Sequence, residues 1–107
     1  MLLAAVLARA EGLTVVGEAG DGAEAVTLAR EIQPDIVMLD VAMPVMDGIE
    51  ALPLILEAAP RARVVMLTGF ATDEFRTKAL AAGAAGYLEK GVTPAAIVDA
   101  AREACAG

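Results

Sequence analysis

Short β-branched or continuously apolar runs alternate with longer stretches of helical periodicity along this chain. Residues 1–10 are Leu, Ala and Val with Arg9 near the end and Gly12 just beyond, the signature of a helix and its stop. Thr14, Val15 and Val16 predict a short strand, closed by Gly17 and the turn Gly20-Asp21-Gly22. Residues 23–32 predict a helix with apolar Val26, Leu28, Ala29 and Ile32, stopped by Pro34. Residues 35–40 follow, with four inner positions all apolar, as in a strand buried on both faces of a parallel sheet. After a loop over 41–48, residues 49–59 are again helical. Pro53 places the regular start near Glu50, because proline is tolerated where its missing N–H has no partner. Residues 64–67 are a second continuous apolar run, ending in Thr68-Gly69. Thr72 is read as the N-cap of a helix with Asp73 and Glu74 in its first turn and Gly83 at its end. Residues 86–90 predict a last short strand, and Thr93 caps a final helix with Pro94 at its first position. Strands and helices alternating at this length imply βαβ units: a doubly wound parallel α/β sheet with helices on both faces.

Composition narrows the functions open to such a fold. At 107 residues the chain is one domain, and at 58% apolar and 21% charged it suits a packed core rather than a disordered segment. Aromatics are 3%, so aliphatic side chains and alanine must build that core. The net charge of −7, with no basic cluster, argues against direct contact with nucleic acid. Histidine is absent, which removes His-based metal sites and His-dependent catalysis. The single cysteine, Cys105, is read as a small apolar helix residue. The apolar start is too short to span a bilayer and lacks the basic leader of a signal peptide, so a cytoplasmic location is expected.

In open α/β sheets, ligands bind beyond the carboxyl ends of the strands. Three residues stand at such ends: Asp40, Thr68 and Lys90, separated by intervals that each suit one helical crossover. Singly, each has an ordinary structural explanation as a turn cap, a strand terminus or a surface charge. Together they bring a carboxylate, a hydroxyl and an ammonium to one sheet edge. That set suits phosphoryl transfer to the carboxylate, which acts as nucleophile and forms an acyl phosphate. Lysine and threonine then hold phosphoryl oxygens, and a divalent cation such as Mg²⁺ normally neutralises the remaining charge.

The residues around this trio resemble the receiver domains of two-component response regulators, whose fold is flavodoxin-like. The strongest match is Leu39-Asp40-Val41-Ala42-Met43-Pro44-Val45-Met46-Asp47-Gly48. Val16-Gly17-Glu18-Ala19 with Asp21-Gly22, Leu67-Thr68-Gly69, Ala82-Gly83-Ala84 and Gly86-Tyr87-Leu88-Glu89-Lys90 extend it from end to end. The Val-Val-Gly-Glu-Ala wording is most similar to regulators carrying a C-terminal helix-turn-helix output domain. The resemblance implies a phospho-accepting switch: Asp40 receives a phosphoryl group from a sensor histidine kinase, and Thr68 and Lys90 hold it. It further implies that Asp40 and the Ala42 backbone carbonyl bind Mg²⁺, and that Tyr87 is the switch aromatic that moves with Thr68. An ordinary half-buried strand aromatic is the alternative for Tyr87. The changed surface would lie along residues 72–82, 86–90 and 93–105, which also suits a homodimer; DNA contact would belong to an output domain absent from these 107 residues.

The departures are concentrated at the front. Members of the family begin with a buried strand whose end supplies an acidic pair to Mg²⁺, whereas Met1 here falls within the expected first helix. The expected chain is therefore an N-terminally truncated receiver spanning 1–107. It lacks the central strand between residues 14–16 and 36–39, along with the acidic pair. The gap would leave two unpaired edges, to be tolerated poorly or filled by another copy. A start assigned too late, a trimmed chain, or a degenerate receiver would each account for this. Gly91 stands where the family often has proline, and Ala42 and Phe70 flank the expected path of attacking water.

Two other functions compete with the switch. A metal-free pseudo-receiver would serve only as a protein-binding module. An Asp-nucleophile phosphatase resembling the haloacid dehalogenases would place a second Asp two residues after the first, where this chain has Ala42. The expected role is a signalling domain and not an enzyme, beyond its own phosphorylation and dephosphorylation.

Overall fold

The structure is a computed structural model of the whole chain, and it describes residues 5–9, 14–41, 48–69, 72–89 and 94–106. Among the described residues, five strands and four helices follow in the order β1 (Ala5–Arg9), β2 (Thr14–Ala19), α1 (Gly22–Ile32), β3 (Ile36–Asp40), α2 (Gly48–Ala58), β4 (Arg63–Thr68), α3 (Asp73–Ala81), β5 (Gly86–Glu89) and α4 (Pro94–Ala106). The sheet runs β2-β1-β3-β4-β5, with β3, β4 and β5 parallel and in continuous register.

The first element corrects the reading of residues 1–10 as helix, and with it the expectation that a central strand is missing. Ala5–Arg9 is a strand, and it occupies the central position, antiparallel to both β2 and β3. Its pairing with β2 shifts by a bulge between Leu7 and Ala8. The sheet is therefore mixed, and no strand from another copy is needed to close it. The physical reason is competition between local and tertiary terms. A ten-residue helix is marginal in water because nucleation is costly. The slot between β2 and β3 offers two rows of ladder partners and two apolar faces. Leu7 and Ala5 are essentially fully buried there, so burial overrides the helical composition. Arg9 at the exposed end donates to the Ile32 carbonyl at 3.3 Å, tying β1 to the end of α1.

The remaining elements follow their local signals closely. Asp21 caps α1 by accepting from the Glu24 N–H at 2.8 Å. Gln33 ends that helix in the left-handed region at φ 53°, and its amide donates to the Ala58 carbonyl at 2.8 Å, linking the ends of α1 and α2. Thr72 caps α3 by accepting from the Phe75 N–H at 3.1 Å. Gly83 follows α3 at φ +104°, a backbone that β-carbons disfavour, and an added Cβ would sit 2.7 Å from Leu56 Cδ1. Helix α2 departs from expectation: it starts at Gly48, so Pro53 lies in its second turn rather than its first. Pro53 is on the exposed side of the helix, away from the core.

Candidate functional site

Asp40 is the last residue of β3 and Thr68 the last of β4, on neighbouring parallel strands at the carboxyl edge of the sheet. The register sets Asp40 opposite Leu67, one residue short of Thr68, and adjacent strands lie about 4.8 Å apart. The ladder runs one step further, with the Val41 N–H donating to the Leu67 carbonyl at 2.9 Å. Strand β3 is buried along its whole length, so its terminal carboxylate is delivered to the edge by an apolar rod. Asp40 is 5% exposed and Thr68 7%. Those values make them the buried polar residues of the described core. No buried side-chain nitrogen or oxygen among the described residues lacks a hydrogen-bond partner. Asp40 and Thr68 are thus satisfied polar groups buried at the end of an apolar sheet, the low-dielectric setting that strengthens charge-assisted contacts.

Gly48 shapes the approach to Asp40. Its N–H donates to the Val41 carbonyl at 3.0 Å, closing the ends of the 41–48 loop on each other. A Cβ at Gly48 would lie 2.7 Å from the Asp40 carbonyl oxygen, 2.8 Å from Val41 Cα and 3.0 Å from Met66 Cε. Glycine is needed because helix α2 starts in contact with the backbone that carries the carboxylate. In the sequence Gly48 reads only as part of a motif, and this packing role is missed. The Asp47-Gly48 pair before a helix is the signal that could have found it.

Tyr87 on β5 is half-buried and packs on the core of the α1–α3 face. It pairs with Met66 across the ladder, and Thr68 pairs with Glu89. Met66 and Thr68 share one face of β4 by the period of two, which sets Tyr87 one diagonal step from Thr68. Phe75 of α3 meets Tyr87 edge-on, with centroids 6.3 Å apart and planes at 80°. The Arg76 guanidinium carbon lies 5.3 Å from the Tyr87 centroid. Lys90, the Ala42 carbonyl, Phe70 and Gly91 lie outside the described residues.

Among the described residues there is no group of three His, Cys, Asp or Glu side chains that could hold a metal ion. Asp21 and Glu24, just beyond the end of β2, cap the start of α1. Asp21 accepts from the Glu24 N–H, and Glu24 accepts from the Gly20 N–H at 3.4 Å. Also among the described residues, no helix is long and apolar enough to cross a membrane.

Known proteins share this fold. The response regulator receiver domain family matches residues 1–102. The transcriptional regulatory protein LiaR of Bacillus subtilis is 41% identical over 107 residues, covering 100% of this chain and 51% of that protein. The chain spans about half the length of the curated relatives it matches. Among solved structures, the signal receiver domain of NarL from Mycobacterium tuberculosis superposes with a TM-score of 0.82 at 36% identity. It covers 88% of this chain and 76% of that one. A Burkholderia pseudomallei response regulator with a phosphorylated aspartic acid, a calcium ion and citrate superposes with a TM-score of 0.72 at 26% identity, over 78% and 49% of the two chains. Receiver domains are signalling modules rather than enzymes in the usual sense, and their standard function is that of a phospho-accepting switch. With the five-stranded flavodoxin-like sheet and a match over nearly its whole length, the chain belongs to the response regulator receiver domain family of two-component signalling.

Proposed function

We propose that Asp40 is the phosphoacceptor of this receiver, that Thr68 and Lys90 hold the transferred phosphoryl group, and that a sensor histidine kinase is its donor. One observation carries the reading. A buried carboxylate and a buried hydroxyl end neighbouring parallel strands, one residue out of register, at the edge where this sheet class binds ligands. In the step itself an Asp40 carboxylate oxygen forms a bond to phosphorus. The bond from phosphorus to the donor's imidazole nitrogen breaks, and its electron pair returns to that nitrogen. Positioning and charge neutralisation do most of the work in such a transfer. The Thr68 hydroxyl donates to one phosphoryl oxygen, and the Lys90 ammonium pairs with another. The family expectation adds Mg²⁺ with Asp40 and the Ala42 carbonyl among its oxygen donors. The described donors do not by themselves fit that ion, since one carboxylate falls far short of an octahedral oxygen shell.

From Thr68 the change passes to Tyr87 and the surface formed by α3, β5 and α4. The relatives are about twice as long, and LiaR is described as a transcriptional regulator. DNA contact, if this chain serves such a protein, belongs to the other half, and a homodimer through the same surface is compatible with the exposed face of α3.

The test is incubation with acetyl phosphate and Mg²⁺, read by intact mass. The expected result is a gain of one phosphoryl group per chain, lost in Asp40→Asn. Folded protein that takes up no phosphoryl group would instead support the pseudo-receiver. Sustained release of phosphate over many turnovers would point to a phosphatase.

A further inference from the structure

We infer that Arg76 is a positioning residue that clamps Tyr87, so that engagement of the Asp40 site requires this clamp to open. The inference rests on the switch reading above, and it adds a part that reading does not contain. Tyr87 is held on two sides by consecutive residues of one helix turn. Phe75 abuts the ring edge-on at 6.3 Å, and Arg76 stands over it at 5.3 Å. An edge-to-face pair and a cation over the π-face are both favourable and both directional. Together they fix the ring's orientation relative to α3, and they do not merely cover it.

The charges around Arg76 leave it free for this role. Its nearest acidic partner, Asp73, is 3.9 Å away with a side chain 99% exposed, so water screens that pair. Lys78, on the same helix, is engaged by Glu74 at 3.2 Å and does not compete for the ring. Arg76 is itself 50% exposed, which places the clamp at the outer end of the tyrosine, accessible from the α3 surface. Thr68, one diagonal step away on the same sheet face, is buried in this arrangement. Drawing its hydroxyl toward a phosphoryl group on Asp40 vacates space that Tyr87 follows into, and Arg76 opposes that movement. The clamp therefore sets the threshold of the switch and ties it mechanically to helix α3.

The chain contains one tyrosine and no tryptophan, so tyrosine fluorescence and the tyrosine-labelled ring resonances report on Tyr87 alone. The experiment compares wild type, Arg76→Gln and Arg76→Lys, each titrated with beryllofluoride and Mg²⁺ and each checked for thermal stability. Arg76→Gln should shift the Tyr87 ring signals before any addition and bind the mimic about two- to five-fold more tightly, the range of an exposed cation–π contact. Arg76→Lys, which keeps the cation, should return both toward wild type. Unchanged ring signals, unchanged or weaker binding in Arg76→Gln, or failure of Arg76→Lys to restore the effect would each overturn the clamp. If wild type binds no mimic at all, the phosphoacceptor reading fails. The clamp is then decided by the ring signals alone, which must move in Arg76→Gln and return in Arg76→Lys.

Discussion

On one side of the sheet, helices α1, α2 and α3 cover a continuous core in which Leu7, Val37, Leu39, Leu52, Ile55, Val64 and Met66 are fully buried. On the other side α4 is the one helix among the described residues. Its core is the small group Ile36, Met38, Val65 and Ala101, with Val6, Leu67 and Leu88 half-covered beside it. An apolar groove of about 120 Å³ remains there, lined by Val6, Ala8, Val15, Ile36, Met38, Val98 and Ala101, and Val15 is 53% exposed at its rim. Both faces belong to the same strands, so the difference is one of helix supply. Residues 5–9, read from sequence as a helix, serve as the central strand, and a face that would otherwise share two helices is left with one. The structure places strand continuity above helical cover. Unmade ladder bonds in the centre of a sheet cost more than an incompletely covered apolar face.

The largest test of this asymmetry is a matched pair of truncations. Leu52→Ala on the crowded face should cost about 4 kcal/mol, because its close-packed neighbours in the core cannot collapse into the space. Met38→Ala on the groove face should cost about 2 kcal/mol, near the bottom of the range for such changes, since its surroundings already include empty volume. Urea midpoints at unchanged m-value measure both. Equal costs would mean that the two faces are packed alike and that the groove is filled in solution.

A second test joins the crowded face to the site. Gly48→Ala puts a Cβ against the Asp40 carbonyl oxygen and Val41 Cα, backbone atoms that cannot rotate away. The expected cost is about 2 kcal/mol, as for overpacking elsewhere. Uptake of phosphate from acetyl phosphate should fall with it, because the start of α2 and the strand end carrying the carboxylate must part. A loss of stability with full phosphate uptake would show that the Gly48 contact shapes the fold and not the site.

Which of these features the sequence makes legible follows from how local their causes are. Asp21 and Thr72 are readable as caps, or as part of a turn before a helix, because the interaction that fixes them spans three residues. β3 and β4 are readable because a strand buried on both faces has an unbroken apolar run, and with them come Asp40 and Thr68 at their ends. The fate of residues 5–9 is not readable. Ala, Val and Leu serve helix and strand about equally well, and the deciding term is a vacancy between β2 and β3, which lie further along the chain. The Arg76–Tyr87 contact is hidden for the same reason: on α3 alone, Arg76 is one surface charge among several, and only the β4–β5 register brings the ring beneath it.

The smallest effect should come from filling the groove. Ala101 is 5% exposed on the inner side of α4 and lines the cavity together with Ile36 and Met38. Ala101→Leu adds three apolar carbons at nearly unchanged helix propensity. A cavity of about 120 Å³ has room for them. Each buried methylene is worth roughly 0.8 kcal/mol at best, and part of that is lost to side-chain ordering, so a gain of about 1 kcal/mol is expected. The same exchange on the opposite face, Ala51→Leu against fully buried neighbours, should destabilise instead. A difference in sign between two identical exchanges, read as midpoints shifting in opposite directions, is the sharpest statement of the asymmetry. If both exchanges destabilise, α4 already sits as close to the sheet as the other three helices do, and the two faces differ in the number of their helices but not in the quality of their packing.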